Sequence, residues 1–311
     1  MRRRWWIVGL IASLMAPVTV SAEGLTVSGG LDARAQTGDE GLFAAGFVNL
    51  RQVIEQDGVD RWILVGQIDG GENFESPHMY QTYAQLKGPL GRWNVRAGRF
   101  IVPFGLLASY DSERMVLNTM EPVSLALKLD TGVQMSGFVG DHDYAIALTE
   151  GNGVDNPVLT GRWSWQRDDF NVGLSLLSGR LPETASRETI ERRGVRLPGV
   201  PLVDKRRLGL DATWNDGPNT WRSEALLGTD DGGFVKGGYV EYERALRAGW
   251  SVGINCGVWN GATVRWRAGA VVSRDFGRGA ALRVGYVHED QIGGRAHTFV
   301  LQYYREFSRA L

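Results

Sequence analysis

The sequence predicts an all-β chain, a transmembrane antiparallel β-barrel of about 16 strands, with 14 to 18 within reach of its segment lengths. Three observations predict it. The only apolar stretch longer than about ten residues lies in the first 22 residues. From there to the last residue the hydrophobicity alternates in short segments cut by Gly, Asp and Asn turns. The long connections between those segments all fall on one side of the alternation. A chain without a later helical span can still cross a bilayer if its strands close on themselves, because closure pairs every backbone group.

The first element is an export signal. Arg2–Arg4 form a basic start, Trp5–Val20 an apolar core, and Val20-Ser21-Ala22 a small-residue cleavage site ahead of Glu23. Residues 1–22 are expected to be a cleaved Sec-type signal peptide, leaving 23–311 as one barrel domain. Loss of Arg2–Arg4 leaves 31 basic against 35 acidic side chains, a net charge of about −4, which argues against nucleic acid as a partner. Glycine (42 residues) and tryptophan (11 residues) are abundant, as a barrel with small outward positions and interfacial aromatics requires. Mean hydropathy of −0.19 decides nothing, since a wet interior and an apolar exterior average to such a value. The single Cys256 excludes an intramolecular disulfide and sits in the apolar phase of its segment.

The strands follow in order. Segment 25–37 carries Asp32 and Arg34 in the water-facing phase, 42–56 carries Arg51, 61–70 carries Asp69 and 78–88 carries Lys87. Segment 92–104 carries Arg92 and Arg96, and segments 130–139 and 142–150 continue the alternation. Arg162 lies in 157–168, followed by 170–179. Arg207 and Asp211 lie in 204–215, Arg222 and Glu224 in 219–229, and Glu241 in 234–244. Segment 249–259 contains Cys256. Arg265 and Arg267 interrupt the apolar even positions of 263–275, Arg283 those of 279–289, and Glu306 lies in 295–309. These arginines must face water, because Arg at the lipid-facing midplane costs ~2–4 kcal/mol. A secreted β-sandwich would need an inner face without them. Helical periodicity occurs only in 106–128 and 183–196.

Connection lengths give an independent test. With the N-terminus in the periplasm, the even-numbered connections are short: 57–60, 88–91, 140–141, 168–169, 215–219, 245–248 and 275–278. The long ones, 71–77, 105–129, 151–156 and 180–203, all fall on the odd, extracellular side. The last segment keeps Phe299, Leu301, Tyr303, Phe307 and Leu311 on one face, with Leu in the terminal position where an aromatic residue is usual.

A family is visible in 83–151. Val95-Arg96-Ala97-Gly98-Arg99-Phe100-Ile101-Val102-Pro103-Phe104-Gly105 precedes a long connection, after which come Asp130-Thr131-Gly132-Val133-Gln134-Met135-Ser136-Gly137 and Thr149-Glu150-Gly151-Asn152-Gly153. This resembles the phosphate-selective porin O and P family, with its R-x-G-x-F-x-x-P-F-G and D-x-G-x-Q-x-x-G stretches. The resemblance implies a 16-stranded homotrimeric porin of the Gram-negative outer membrane, in contact with lipid and lipopolysaccharide, whose third extracellular loop folds inward and narrows the channel. The matching connection here, 105–129, mixes leucines with Tyr110, Asp111, Glu113, Arg114, Glu121 and Lys128. Packing on the inner wall would bury those leucines, with Pro103 ending the ladder and Gly105 allowing the inward turn.

The water-facing positions listed above, with Arg34, Lys87 and Arg92 included, hold eleven basic and six acidic residues. Arg51, Arg96, Arg162, Arg207, Arg222, Arg265, Arg267 and Arg283 are therefore expected to line the pore. Arg114 and Lys128 are expected to contact solute from the loop. The function expected is passive diffusion of small hydrophilic solutes, inorganic anions among them, with a mild anion preference. Only four lysines are present, too few for the lysine cluster of a dedicated phosphate site. The competing reading of the charges is cross-strand pairing that stiffens the wall, for which Asp211 with Arg222 is the expected example.

No cofactor, metal site or enzymatic activity is expected. His78, His142, His288 and His297 are placed in separate hairpins near strand ends, without zinc-type or triad spacing. Two alternatives remain. The barrel could be a sheath or scaffold for a periplasmic or surface partner such as an electron-transfer protein, or, more remotely, an outer-membrane hydrolase.

Overall fold

A computed structural model describes residues 24–37, 41–56, 59–71, 74–75, 77–107, 124–151, 156–183, 201–260, 264–291 and 294–311. They form sixteen antiparallel strands. These are β1 (Leu25–Gln36), β2 (Leu42–Gln56), β3 (Val59–Asp69), β4 (His78–Lys87), β5 (Asn94–Ile101), β6 (Leu129–Val139), β7 (His142–Thr149) and β8 (Val158–Arg167). There follow β9 (Phe170–Pro182), β10 (Leu202–Asp216), β11 (Asn219–Asp230), β12 (Gly233–Ala245), β13 (Trp250–Asn260), β14 (Val264–Gly277), β15 (Ala280–Gln291) and β16 (Gly294–Ala310). Each pairs with its sequence neighbours, and β1 pairs with β16 to close the barrel. Closure satisfies the two edges that an open sheet would expose. No helix among the described residues is long and apolar enough to cross a membrane.

The expected period-2 pattern decides which face each side chain takes. On β10 Leu208, Leu210 and Trp214 are exposed outward, while Lys205, Arg207 and Asp211 are buried inward. On β13 Ile254, Cys256 and Val258 point out, and Asn255 and Trp259 point in. Outward aromatic and aliphatic side chains gather at both ends of the wall. At the short-turn end Trp62, Trp163, Trp214, Trp221, Trp250 and Phe276 are exposed, with Trp221 tilted on Tyr242 at 4.4 Å and His142 stacked on Trp163 at 4.7 Å. At the other end stand Phe234, Trp266, Tyr286 and Phe299. Two aromatic girdles around an apolar band are what a bilayer requires of a barrel.

Connections sort by length as the sequence implies. The ends of β2, β4, β6, β8, β10, β12 and β14 lead into short turns, and Leu25 and Leu311 meet at that same end, where the Leu311 N–H donates to the Leu25 carbonyl (2.8 Å). The strand ends that flank the long connections, those of β3 and β4, β5 and β6, β7 and β8, and β9 and β10, lie at the opposite end. The tight turn there between β11 and β12 places Asp231 and Gly232 both at positive φ (46° and 86°), the backbone of a two-residue hairpin loop.

Most strand limits agree with the sequence to within two residues. Three differ. β9 runs to Pro182 and pairs to its end with β10. β5 begins at Asn94, so Arg92 lies in a turn, where its N–H donates to the Pro89 carbonyl (3.1 Å), and not in the inward phase of a strand. β5 also ends at Ile101, so Pro103 and Phe104 already belong to the connection.

Candidate channel lining and constriction

The two described roots of the third connection at the long-loop end, residues 102–107 and 124–128, lie inside the barrel. Val102, Phe104 and Leu106 on its way in, and Leu125 and Leu127 on its way out, are almost completely buried. They form one apolar cluster with inward residues of the far wall: Val158 of β8, Leu177 and Leu181 of β9, Leu226 of β11, Val235 and Tyr239 of β12, and Trp259 of β13. Burial of so many side chains, each worth ~1.5–3 kcal/mol, holds both roots of the loop across the lumen.

Polar contacts fix the same roots. The Gly105 N–H donates to Ser175 Oγ (2.9 Å), and the Leu106 N–H to Glu224 Oε2 (3.3 Å). Arg207 Nε donates to the Ser124 carbonyl (3.0 Å), and the Val102 N–H to the Lys128 carbonyl (2.9 Å). Gly105 sits at φ +52°, and a Cβ there would meet the Glu224 carboxylate at 2.5 Å. Both the left-handed turn and the close approach call for glycine.

The residues expected to line the pore separate into distinct groups. Arg162 is clamped by Asp211 (2.7 Å), Asp143 (3.4 Å) and Asn171 (3.2 Å). Arg222 pairs with Glu241 (2.7 Å) and Glu243 (3.4 Å), and Arg267 with Glu289. The expected Asp211–Arg222 pair is therefore replaced by two others. Asp211 reaches over Gly173 of β9 to Arg162, two strands away, because that glycine has no side chain in the path. Nearer the rims Arg34 pairs with Asp32 (2.6 Å) and Lys87 with Asp60 (3.2 Å).

Two residues expected at the constriction surface are buried instead. Arg207 is 3% exposed, and its guanidinium is spent on Asp230 (2.6 Å), the Thr229 and Arg206 carbonyls and the loop. Lys128 is 2% exposed, with its ammonium 5.5 Å from the Tyr80 ring centroid. Both hold the loop and do not present an open charge. Tyr110, Asp111, Glu113, Arg114 and Glu121 lie outside the described residues, as does the side chain of Arg265.

Three arginines make no direct contact with a carboxylate among the described residues. Arg96 donates from Nε and Nη2 to Gln85 Oε1 (3.1 and 3.0 Å) and lies over the Tyr83 ring at 4.3 Å. Arg283 donates to Gln302 Oε1 (3.0 Å) and lies 5.6 Å from the Tyr304 ring. Arg51 is exposed in the inward phase of β2. Among the described residues none of the three makes an ion pair. They stand on β2, β5 and β15, away from the β8–β13 wall that receives the loop.

The histidines depart from expectation. His288 and His297 are not in separate hairpins but face each other across β15 and β16, on the outward side. The anchors Tyr80, Ser124, Ser175 and Asp230 carry no signal in the sequence, because each is defined by a partner far along the chain.

Solved structures share this architecture. The chain is similar to an anion-selective porin from Comamonas acidovorans, at 11% identity, with 92% of this chain and 98% of that one covered and a TM-score of 0.63. It is similar to Salmonella typhi OmpF in complex with daunomycin (14% identity, 93% and 99% covered, TM-score 0.67). A third is in-vitro folded OmpT, an outer membrane protein of Vibrio cholerae, in trimer form (10% identity, 92% and 100% covered, TM-score 0.66). At such identities the likeness establishes the sixteen-stranded barrel fold alone. No family model and no curated protein sequence matches the chain.

Proposed function

We propose that the protein is an outer-membrane porin through which small hydrophilic solutes diffuse passively, with a mild preference for anions. The observation that carries this reading is the division of the lumen. The β8–β13 wall is covered by the two fixed roots of a loop, while the facing wall presents Arg51, Arg96 and Arg283 without direct carboxylate contacts. Fixed positive charge in a narrow, partly low-dielectric passage concentrates anions. The preference is mild because Arg34, Arg162, Arg207, Arg222 and Arg267 are neutralised within the wall. The resemblance over 83–151 supports a place among porins of the phosphate-selective group, and the scarcity of lysine speaks against phosphate as a dedicated solute.

Residues 1–22 would direct export, lipid and lipopolysaccharide would meet the outward face, and three copies would assemble, as in the trimer form of Vibrio cholerae OmpT. The buried loop roots favour a channel over a sheath, since they occupy lumen space that a threaded partner would need. The outward placement of His288 and His297, and the stacking of His142 on Trp163, speak against a hydrolytic site built on these three imidazoles in the lumen. Vesicle swelling tests the reading. Vesicles carrying the purified, folded chain alone should swell in small uncharged sugars at rates that fall with sugar size. Failure of a folded barrel to admit any of them would favour the sheath.

A further inference from the structure

His288 and His297 converge on one point of the outward face, just below the turn that joins β15 to β16. Their Nδ1 atoms are 3.3 Å apart, and the Tyr286 hydroxyl lies 2.7 Å from His297 Nδ1. One ring nitrogen therefore faces two partners at once, which a single N–H or a single lone pair serves poorly. The spacing matches another arrangement. Two nitrogen ligands at the ordinary zinc distance of ~2.0–2.1 Å, in tetrahedral array, lie about 3.3–3.4 Å from each other. The strand register holds the pair, because His288 and His297 are direct cross-strand partners, with Tyr286 opposite Phe299 one step toward the barrel centre. The rings are also braced: Trp266 lies 4.5 Å from His288, and Tyr286 4.9 Å from Phe299.

We propose that His288 and His297 form a binding site for a divalent transition-metal ion of the zinc, nickel and copper group, with the Tyr286 hydroxyl turning from its hydrogen bond on His297 Nδ1 to the ion as the third donor. Imidazole is the ligand suited to these ions, whereas calcium and magnesium take oxygen ligands. No third His, Cys, Asp or Glu joins the pair among the described residues, so water completes the coordination and the site is open to solution. A bound ion bridges the last two strands next to the β1–β16 seam, and it favours the folded barrel over the unfolded chain.

The test is calorimetric titration of Zn²⁺ alone into the folded full-length chain in detergent, paired with thermal unfolding. One ion should bind per chain, and Zn²⁺ should raise the unfolding temperature. Both effects should vanish in His288→Ala and in His297→Ala, weaken in Tyr286→Phe, and persist in His142→Ala. One-to-one binding that survives His297→Ala, or a folded wild-type barrel that takes up no Zn²⁺, would overturn the proposal.

Discussion

At the scale of residues, the lumen arginines fall into ion-paired and unpaired sets, and the two should respond differently to substitution. Replacing Arg96 or Arg283 by Gln removes a charge without stranding a carboxylate. Each variant is expected to keep its unfolding temperature and to shift the reversal potential in a KCl gradient away from the anion side. Arg162→Leu should do the opposite. It leaves Asp211, whose side chain is fully buried, without its closest cation. Breaking such a pair costs about 3–5 kcal/mol, so thermal unfolding in detergent should show a clear loss of stability. The double variant Arg162→Leu/Asp211→Leu should recover most of it. The inward placement of these residues was legible in the sequence, because period-2 alternation assigns faces directly. Their pairing was not. Alternation on β10 and β11 puts Asp211 and Arg222 on the same face, but the register sets Asp211 opposite Glu224 and Gly173, and only the missing side chain of Gly173 opens the way to Arg162.

At the scale of elements, strands and turns were legible almost throughout, since each depends on local pattern and turn chemistry. The limits of β5 were less so. Val102 and Phe104 fall in the same phase as the inward Arg96 but pack into the loop cluster, and nothing local distinguishes an apolar strand residue from a loop anchor. The inward course of the loop was suggested by its leucines and by Pro103-Phe104-Gly105. Its anchors on β9, β10 and β11 depend on contacts 70 to 118 residues away in sequence. Truncating the apolar anchors should release the loop while leaving the barrel closed. Phe104→Ala and Leu127→Ala each remove a completely buried side chain, at a cost of about 2–5 kcal/mol. Both variants are expected to fold, and their single-channel conductance should be larger and noisier than that of the wild type. Gly105→Ala should act in the same direction, through its φ of +52° and the Glu224 carboxylate.

At the scale of the whole molecule, an apolar exterior, a charged interior and two aromatic girdles define a solvent on each side of one wall. A charge placed on the wrong side tests this division. Leu210 faces outward beside the inward Asp211, and Leu210→Arg should cost ~2–4 kcal/mol in a bilayer. It should reduce folding into vesicles more than it reduces folding into detergent. The most direct test of the central claim is single-channel recording of the folded full-length chain in a planar bilayer under a KCl gradient. The account predicts a steady open conductance in the absence of any partner, with a reversal potential displaced modestly to the anion side. A folded barrel that does not conduct, or a reversal potential on the cation side, would contradict it.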